Sequence, residues 1–283
     1  MSHFSIAALQ LALPDDNNLE LIGQEIIRTK RRFPWLNMIV LSELCSYGPK
    51  KKYAEELPNK AETFYCELAK EHNVWLIPGS HYEKEAHKIY NSSVVINNEG
   101  EIINRYRKIY PFYPYESDVC EGKDFVVFDV PQGKIGLAIC YDLWFPEVSR
   151  TMACMGAEVI IYPTLTGTID RPAELILAQS TSITNQCYTF SVNASGEYGN
   201  GQSIIVGPDG DVIYKAGREQ DIIPIEVDFE RVRRARQRGL HGLGQPLKSF
   251  RDNEIEFPIY SKNFDKRAEL EVLGPLVIPE KNT

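Results

Sequence analysis

The sequence predicts an α/β fold in which two β-sheets pack face to face and helices cover their outer surfaces. Short apolar segments of strand character alternate with segments of helical periodicity along most of the chain. Two turn motifs, at residues 97–100 (Asn-Asn-Glu-Gly) and 207–210 (Gly-Pro-Asp-Gly), each separate two strand-like segments, which is typical of hairpins. About a dozen strands are too many for one small sheet, so two stacked sheets with outer helices are expected.

The N-terminal half predicts strands and helices in alternation. Residues 4–13 are mostly apolar and predict the first strand, and possible N-caps at positions 15 to 17 predict a helix that continues to about Phe33. The elements predicted next are a strand at 38–41, a helix at 58–72, a strand at 74–78, and the hairpin strands 89–96 and 102–106.

The C-terminal half continues this pattern after a long irregular loop at residues 111–124. The predicted elements are strands at 125–130 and 134–139, a helix at 146–155, a strand at 159–162, a helix at 172–185, strands at 187–193, 203–206, 212–214 and 222–227, and a helix at 229–238. Because no linker or repeat interrupts them, residues 1–238 are predicted to form one domain. Residues 239–283, which contain Pro246, Pro258, Pro275 and Pro279, are predicted to be an extension that packs on this domain or on a neighbouring subunit.

Composition and charge exclude several classes of protein. The chain of 283 residues is 43% hydrophobic and 25% charged, which is typical of a globular protein with a sizeable core. Its net charge of -8 argues against nucleic acid as a partner, because phosphate binding needs an excess of Lys and Arg. The five arginines between positions 231 and 238 are interpreted as a solvated helix face or an oligomer contact. No segment reaches the roughly 18 apolar residues of a membrane span.

The N-terminus and the cysteines favour a cytoplasmic protein. The first residues lack the basic region, hydrophobic core and cleavage site of a signal peptide. The six cysteines are scattered without a C-x-x-C pair, so neither a disulfide framework nor a zinc site is predicted. None of the five histidines has the spacing of a metal-ligand motif, and no metal or cofactor is predicted.

Cys140 lies where an apolar strand segment ends and a helix is predicted to begin. Pro146, six residues later, suits the first turn of that helix. A nearby helix N-terminus would favour the thiolate form of the cysteine. By itself, Cys140 is interpreted at least as readily as a buried structural residue.

Two other predicted strands also end at reactive groups. Glu43 follows the second strand, and Lys108 follows the second strand of the first hairpin. Ligands of α/β sheets collect beyond the carboxyl ends of strands, so Glu43, Lys108 and Cys140 are expected to converge on one pocket. Each residue also has a structural interpretation, as a loop cap, a solvated lysine and a core cysteine, but their joint occurrence favours function.

Glu43, Lys108 and Cys140, in this order and context, resemble the catalytic triad of the nitrilase superfamily of carbon–nitrogen hydrolases. The resemblance covers about residues 4–235, and the segment 136–147 (Gly-Leu-Ala-Ile-Cys-Tyr-Asp-Leu-Trp-Phe-Pro-Glu) is highly specific for it. Residues 106–111, followed by Glu116, are similar to the lysine loop and second glutamate of the aliphatic amidase and formamidase branch. The resemblance implies a four-layer αββα sandwich that pairs into an αββα–αββα homodimer or a higher even-numbered oligomer.

Two positions depart from the pattern of many relatives. Tyr110 stands two residues after the lysine, where many relatives have histidine. Tyr141 and Asp142 follow the cysteine, where nitrilases proper tend to have Trp-Glu and amidase branches commonly have this pair. The second departure favours a small linear amide over a nitrile as substrate.

The resemblance implies a thioester mechanism. Glu43 accepts the thiol proton of Cys140, and Lys108 with the backbone N–H of Tyr141 stabilises the charge that develops on the substrate oxygen. Glu116 is expected to hydrogen-bond Lys108 or to position substrate; the alternative is a surface carboxylate.

The substrate itself is less well defined by the sequence. Tyr113, Tyr141, Trp144 and Thr164 are predicted to shape the substrate pocket. An N-carbamoyl hydrolase or an ω-amidase is the first alternative, then a nitrilase, and last a non-catalytic binding subunit. A substrate carboxylate would need a cation, for which Arg171 can serve, although a surface role is the more expected interpretation of that arginine.

Overall fold

A computed structural model describes residues 2–113, 115–265 and 268–277, and the described residues form thirteen strands and six α-helices. The strands are β1 (His3–Gln10), β2 (Met38–Val40), β3 (Trp75–Ile77), β4 (His81–Glu85), β5 (Lys88–Ile96), β6 (Ile102–Arg107), β7 (Val126–Val130), β8 (Gly133–Leu137), β9 (Val159–Thr164), β10 (Tyr188–Asn193), β11 (Ile204–Val206), β12 (Val212–Lys215) and β13 (Asp221–Asp228). The helices are α1 (Leu19–Arg32), α2 (Lys60–Glu71), α3 (Pro146–Cys154), α4 (Arg171–Asn185), α5 (Phe229–Arg238) and α6 (Pro246–Asp252).

The first sheet has seven strands in the order β13-β1-β2-β3-β5-β4, with β6 paired to β5. Strands β1, β2 and β3 are parallel to one another, and the other pairs are antiparallel. Side chains alternate between the two faces of a strand. Accordingly, Ile6 and Ala8 of β1 pack in the core that includes the second sheet, whereas Ala7 and Leu9 pack in a second core with α1 and α2.

The second sheet has six strands in the order β12-β11-β10-β9-β8-β7, and its central strands β8, β9 and β10 are parallel. Helix α4 packs against β10 and β11, and α3 packs against α4. Gly136 of β8 brings the sheet close to α3, since a Cβ atom there would lie 3.0 Å from the Met152 sulfur. The layers therefore run helix, sheet, sheet, helix, and the predicted αββα sandwich is confirmed.

Nearly all predicted elements are confirmed, with ends shifted by a few residues. The first helix begins at Leu19. The Asn18 side chain does not cap this helix, because it donates instead to the backbone carbonyls of Pro14 and Cys45. Strand β4 was missed because its sequence, His-Tyr-Glu-Lys-Glu, has no apolar run. Its buried Glu83 accepts hydrogen bonds from Ser92 and Arg107, which lets a polar strand enter the sheet.

Two arginines of α5 form ion pairs with acidic residues of the same domain. Arg231 pairs with Asp209 at 3.1 Å, and Arg233 Nε lies 2.9 Å from Glu158 Oε1. These contacts attach α5 to the edge of its own domain, while the Arg231 and Arg233 side chains remain 31% and 44% exposed. An oligomer contact of this helix stays a prediction.

The residues after Gly239 lie on the outside of the domain. The Arg150 guanidinium lies over the ring of Phe250, 5.3 Å from its centroid, and Tyr260 Oη donates to Glu147 Oε1 over 3.5 Å. Large apolar side chains of this segment remain exposed, including Leu243 and Val272. Packing of the segment on a neighbouring subunit stays a prediction, and Pro279 lies outside the described residues. No helix within the described ranges has the length and apolar character to cross a membrane.

Candidate active site

The predicted site residues Glu43, Lys108, Glu116 and Cys140 line one cavity of about 400 Å³. Glu43 and Lys108 lie beyond the carboxyl ends of β2 and β6, and Cys140 lies beyond β8 in the second sheet. The stacking of the sheets brings these ends together across the sandwich. The expected convergence of three strand ends on one pocket is thus observed.

Cys140 begins a 3₁₀ helix, Cys140–Trp144, which connects β8 to α3. Its backbone φ of 45° lies in the left-handed region, where a side chain other than that of glycine is strained. Pro146 is the first residue of α3, as predicted. Such a turn lifts the thiol out of the sheet and towards the cavity, although the residue is only 7% exposed.

The resting thiol is neutral. Burial, reinforced by the nearby carboxylate of Glu43, raises the pKa of Cys140 well above its ordinary value, although Lys108 acts in the opposite direction. The expected help of a nearby helix N-terminus to the thiolate stays a prediction, and burial is the largest influence on the pKa of this thiol. Deprotonation has to accompany the attack, and the site must contain a base.

Lys108 is the centre of a buried ion cluster. Its Nζ donates to Glu43 Oε1 over 2.8 Å and to Glu116 Oε2 over 2.7 Å, and the lysine is only 1% exposed. Asn91 connects the same two carboxylates, because its Nδ2 donates to Glu43 Oε1 and Glu116 Oε1 over 2.8 and 2.7 Å. Glu116 is thus a buried partner of Lys108, and not a surface carboxylate.

The two glutamates differ in electrostatic environment. Burial raises the pKa of Glu43, and the attraction of Lys108 only partly offsets it. Burial also acts to raise the pKa of Glu116, but Lys108 and the backbone N–H of Phe112 outweigh it and hold that pKa below its ordinary value. A proton therefore binds more readily to Glu43 than to Glu116, which suits Glu43 to exchange protons with the thiol.

Asp142 joins the cysteine turn to the lysine loop. The Tyr106 hydroxyl donates to Asp142 Oδ2 over 2.7 Å, and the backbone N–H groups of Ile139 and Tyr110 donate to Oδ2 and Oδ1 over 3.0 and 2.9 Å. Burial raises the pKa of Asp142 to about 6. The Asp142 carboxylate therefore holds the turn that contains Cys140 to the loop that contains Lys108, and it does so by accepting hydrogen bonds from both.

Asp142→Asn is expected to lower the free energy of unfolding by about 1–3 kcal/mol, because the new amide group cannot accept all three donors and one buried group loses its partner. Amide hydrolysis should fall as well, since the cysteine turn is no longer held to the lysine loop. Urea denaturation and ammonia release measure the two effects. Unchanged stability and activity would contradict the role given to Asp142.

The loop that carries Glu43 is held by contacts with the ends of neighbouring strands. The backbone N–H of Glu43 donates to the carbonyl of Thr164 over 3.2 Å, and the Ser80 hydroxyl accepts from the N–H of Leu44. Gly79 has a φ of 69°, and a Cβ there would lie 1.8 Å from the Ser42 carbonyl oxygen. Only glycine allows this close approach, which fixes the backbone next to the Glu43 carboxylate.

Of the predicted substrate-binding residues, the structure places Tyr141 on the cavity but not Tyr113, Trp144 or Thr164. The Thr164 side chain is buried and donates to the Tyr162 carbonyl. Trp144 packs beside Tyr141, with ring centroids 6.0 Å apart. The predicted role of Tyr113, Trp144 and Thr164 in lining the substrate pocket is therefore not observed.

Three functional candidates were missed by sequence reasoning: Asn91, Thr166 and Glu174. Thr166 and Glu174 line the cavity, and Thr166 Oγ1 lies 3.9 Å from Cys140 Sγ and donates to Glu174 Oε1 over 3.0 Å. Asn91 lies in the middle of β5, where a polar residue in an otherwise buried strand was a usable signal.

The sequence predicts a surface position for Arg171, but the structure does not place it there. It is completely buried, and its Nη1 donates to Glu174 Oε2 over 2.8 Å and to the Ser191 hydroxyl over 3.0 Å. The side chain is not part of the cavity lining. Its charge holds Glu174 in place, so it is not free to bind a substrate carboxylate.

Tyr110, which replaces the histidine of many relatives, stacks on Phe145 with the ring centroids 3.5 Å apart. Its backbone N–H is one of the donors to Asp142. Tyr110 therefore provides an aromatic contact between the lysine loop and Phe145, the residue that precedes α3.

Among the described residues, no group of three or more His, Cys, Asp or Glu side chains is arranged to hold a metal ion. All six cysteines are free thiols.

The four layers are those of a nitrilase-type hydrolase, the class that the sequence resemblance implied. The crystal structure of Saccharomyces cerevisiae Nit3, a member of branch 10 of the nitrilase superfamily, matches with a TM-score of 0.78 and 29% identity, over 83% of this chain and 94% of that one. A carbon–nitrogen hydrolase from Helicobacter pylori G27 matches with a TM-score of 0.80 and 25% identity, over 90% and 97% of the two chains.

The chain belongs to the carbon–nitrogen hydrolase family, whose family model matches residues 5–237. Omega-amidase NIT2 of Homo sapiens is 31% identical over 208 residues, which are 68% of this chain and 75% of that protein. The predicted membership of the nitrilase superfamily is confirmed.

Proposed function

We propose that the protein hydrolyses a small linear amide to a carboxylic acid and ammonia through a thioester on Cys140. The observation that carries the proposal is the buried cluster of Glu43, Lys108 and Glu116 on the same cavity as the Cys140 thiol. Burying a lysine and two carboxylates away from water carries a large desolvation penalty, so such a cluster is weak evidence for stability alone. Perturbed titratable groups in a cleft are typical of active sites.

The first step is attack by the Cys140 sulfur on the amide carbon. Because the thiol is neutral at rest, Glu43 accepts its proton as the S–C bond forms. The carbonyl oxygen becomes negative, and Lys108 and the backbone N–H of Tyr141 stabilise it; one such donor contributes about 3–4 kcal/mol. Glu43 then gives the proton to the leaving nitrogen, so ammonia departs and a thioester remains.

The second step is hydrolysis of the thioester. Glu43, again ionised, accepts a proton from a water molecule as that water attacks the thioester carbon. The S–C bond breaks, the thiolate recovers a proton through Glu43, and the carboxylic acid is released. One water molecule is consumed and one amide bond is broken in each cycle.

Glu116 and Asn91 are positioning residues in this scheme. Both hydrogen-bond within the ion cluster, so they keep the Lys108 ammonium and the Glu43 carboxylate in fixed places. The lower pKa of Glu116 keeps a full negative charge beside Lys108, which helps the lysine to remain protonated throughout.

Acid quenching of the enzyme during turnover of a short aliphatic amide is expected to trap the acyl group on the peptide that contains Cys140. Peptide mass spectrometry detects it as the mass of the acyl group added to the thiol. The buried Cys45 and Cys187 are internal controls, since neither side chain lines the cavity that holds Cys140. An adduct on either of them, with Cys140 unmodified, would contradict the mechanism.

An ω-amidase is the second candidate function, and the names of the relatives favour it. Several curated proteins about 30% identical to the chain are omega-amidases, including NIT2 of Homo sapiens and NIT3 of Saccharomyces cerevisiae. The same cysteine chemistry would serve an ω-amide. The two candidates differ in what the cavity must bind at the far end of the substrate.

A further inference from the structure

The cavity around Cys140 is lined by more negative charge than the reaction needs. Five carboxylates line it, and among its described lining residues Lys108 is the one cation. Glu43 and Glu116 belong to the ion cluster already described, which leaves three acidic residues with no part in the chemistry: Asp170, Glu174 and Glu197.

These three carboxylates are not equally compensated. Arg171, behind the wall, offsets the charge of Glu174. Asp170 accepts a hydrogen bond from the Thr168 hydroxyl, and neither Asp170 nor Glu197 forms an ion pair with a Lys, Arg or His of the described residues. Part of the wall therefore carries uncompensated negative charge. Charge of one sign in a cleft concentrates ligands of the opposite sign.

Several aromatic side chains belong to the rest of the cavity wall. Tyr82, Phe112, Tyr115 and Tyr141 line it together with Leu44 and Leu165. Aromatic faces attract ammonium groups through their quadrupole, and they also pack against methylene chains. The aromatic wall and the carboxylates thus agree in the type of ligand they favour.

The same wall is poorly suited to a substrate carboxylate. Such a group needs an arginine or lysine in reach, and Lys108 is engaged by two glutamates. Arg171 is shielded from the cavity and bound to Glu174. An anionic tail would face Asp170 and Glu197 without a partner.

We propose that the preferred substrate is a small amide whose far end carries a positive charge, such as a primary ammonium group, bound by the aromatic and acidic wall that includes Asp170, Glu174 and Glu197. This inference rests on the proposed amidase function and names its substrate class. Chemically, it separates this chain from an ω-amidase that requires a distal carboxylate.

The test compares three amides that differ at the far end: δ-aminovaleramide (ammonium), hexanamide (methyl) and glutaramate (carboxylate). Ammonia release is measured as kcat/KM with the full-length protein. We expect δ-aminovaleramide to exceed hexanamide by about tenfold or more, and glutaramate to be the poorest substrate. This preference should shrink as added salt lowers the Debye length from about 30 Å to about 3 Å.

Variants locate the charge that causes the preference. In Asp170→Asn/Glu197→Gln, the ratio of kcat/KM for δ-aminovaleramide over hexanamide should fall by about threefold or more, since both uncompensated charges are removed. Asparagine suits the N-cap of α4 as well as aspartate does, so the helix is retained. Glu99→Gln, an exposed carboxylate in the turn between β5 and β6, is the matched control and should keep the ratio.

The outcomes separate this inference from the proposed function. Hydrolysis of hexanamide that needs Cys140 but shows no preference for the ammonium compound overturns the inference and leaves the amidase function intact. A preference for glutaramate overturns it in favour of an ω-amidase with a distal carboxylate. If none of the three amides releases ammonia above the level of Cys140→Ala, the proposed function and the inference both fail.

Discussion

Replacing Cys140 by alanine is expected to abolish ammonia release, with kcat/KM lowered by about 10⁴-fold or more. Alanine removes the nucleophile, and no other thiol can take its place: Cys140 and no other cysteine lines the cavity among the described residues. The fold should persist, because the substitution removes one sulfur atom at the edge of the core. Ammonia release and the thermal unfolding midpoint measure the two effects.

Cys187→Ala is the matched control for this loss. Cys187 is completely buried next to the start of β10 and far in sequence from the ion cluster, so its removal should cost about 1 kcal/mol of stability and leave kcat/KM within a few-fold of wild type. Cys140→Ser adds a second comparison, since a hydroxyl fits the site but is a weaker nucleophile at neutral pH. Wild-type activity in Cys140→Ala would disprove the assignment of the nucleophile.

The position of Cys140 could be predicted because its local sequence contains the whole signal. An apolar strand, a thiol and then Pro146 describe a strand-to-helix connection within one segment. The same holds for Glu43 and Lys108, each directly beyond a predicted strand. Their convergence followed from the rule that strand ends share one edge of the sheets.

The contacts of Arg171 and Glu174 could not be predicted in the same way. Arginine is rarely buried, so a prediction from residue type alone places Arg171 at the surface. Its actual environment depends on Ser191 of β10 and on the carbonyl of Gln202, which lie 20 and 31 residues away along the chain. Strand β4 was missed for a similar reason, because its polar residues are satisfied by partners on neighbouring strands.

Asp142 shows how a motif residue can be noticed without its role being seen. Sequence reasoning used Asp142 only to choose between amide and nitrile substrates. The structure adds that its carboxylate accepts from both the cysteine turn and the lysine loop. Two of its three donors lie more than 30 residues away along the chain, so no local pattern indicates them.

Lys108→Met is expected to destabilise the protein by about 3–5 kcal/mol as well as abolish hydrolysis. The methionine is similar in length but leaves Glu43 and Glu116 buried without their shared cation. Like charges then face each other in a site of low polarity, and the carboxylates must protonate or draw in water. Urea denaturation at neutral pH should show a lower free energy of unfolding for Lys108→Met than for the wild type. This difference should be smaller at a pH where both carboxylates are protonated.

The triple variant Glu43→Gln/Lys108→Met/Glu116→Gln distinguishes a catalytic cluster from a stabilising one. Neutral side chains of similar volume remove the buried charges together, so most of the stability lost in Lys108→Met should return, whereas activity should not. Lys134→Met is the control for loss of an ion pair at the surface. Lys134 lies 2.7 Å from Asp129 and the two side chains are 45% and 78% exposed, so the free energy of unfolding should fall by less than about 1 kcal/mol.

If the triple variant is no more stable than Lys108→Met, the destabilisation does not come from unpaired buried charge. If the triple variant hydrolyses amides at the wild-type rate, the cluster has no part in catalysis.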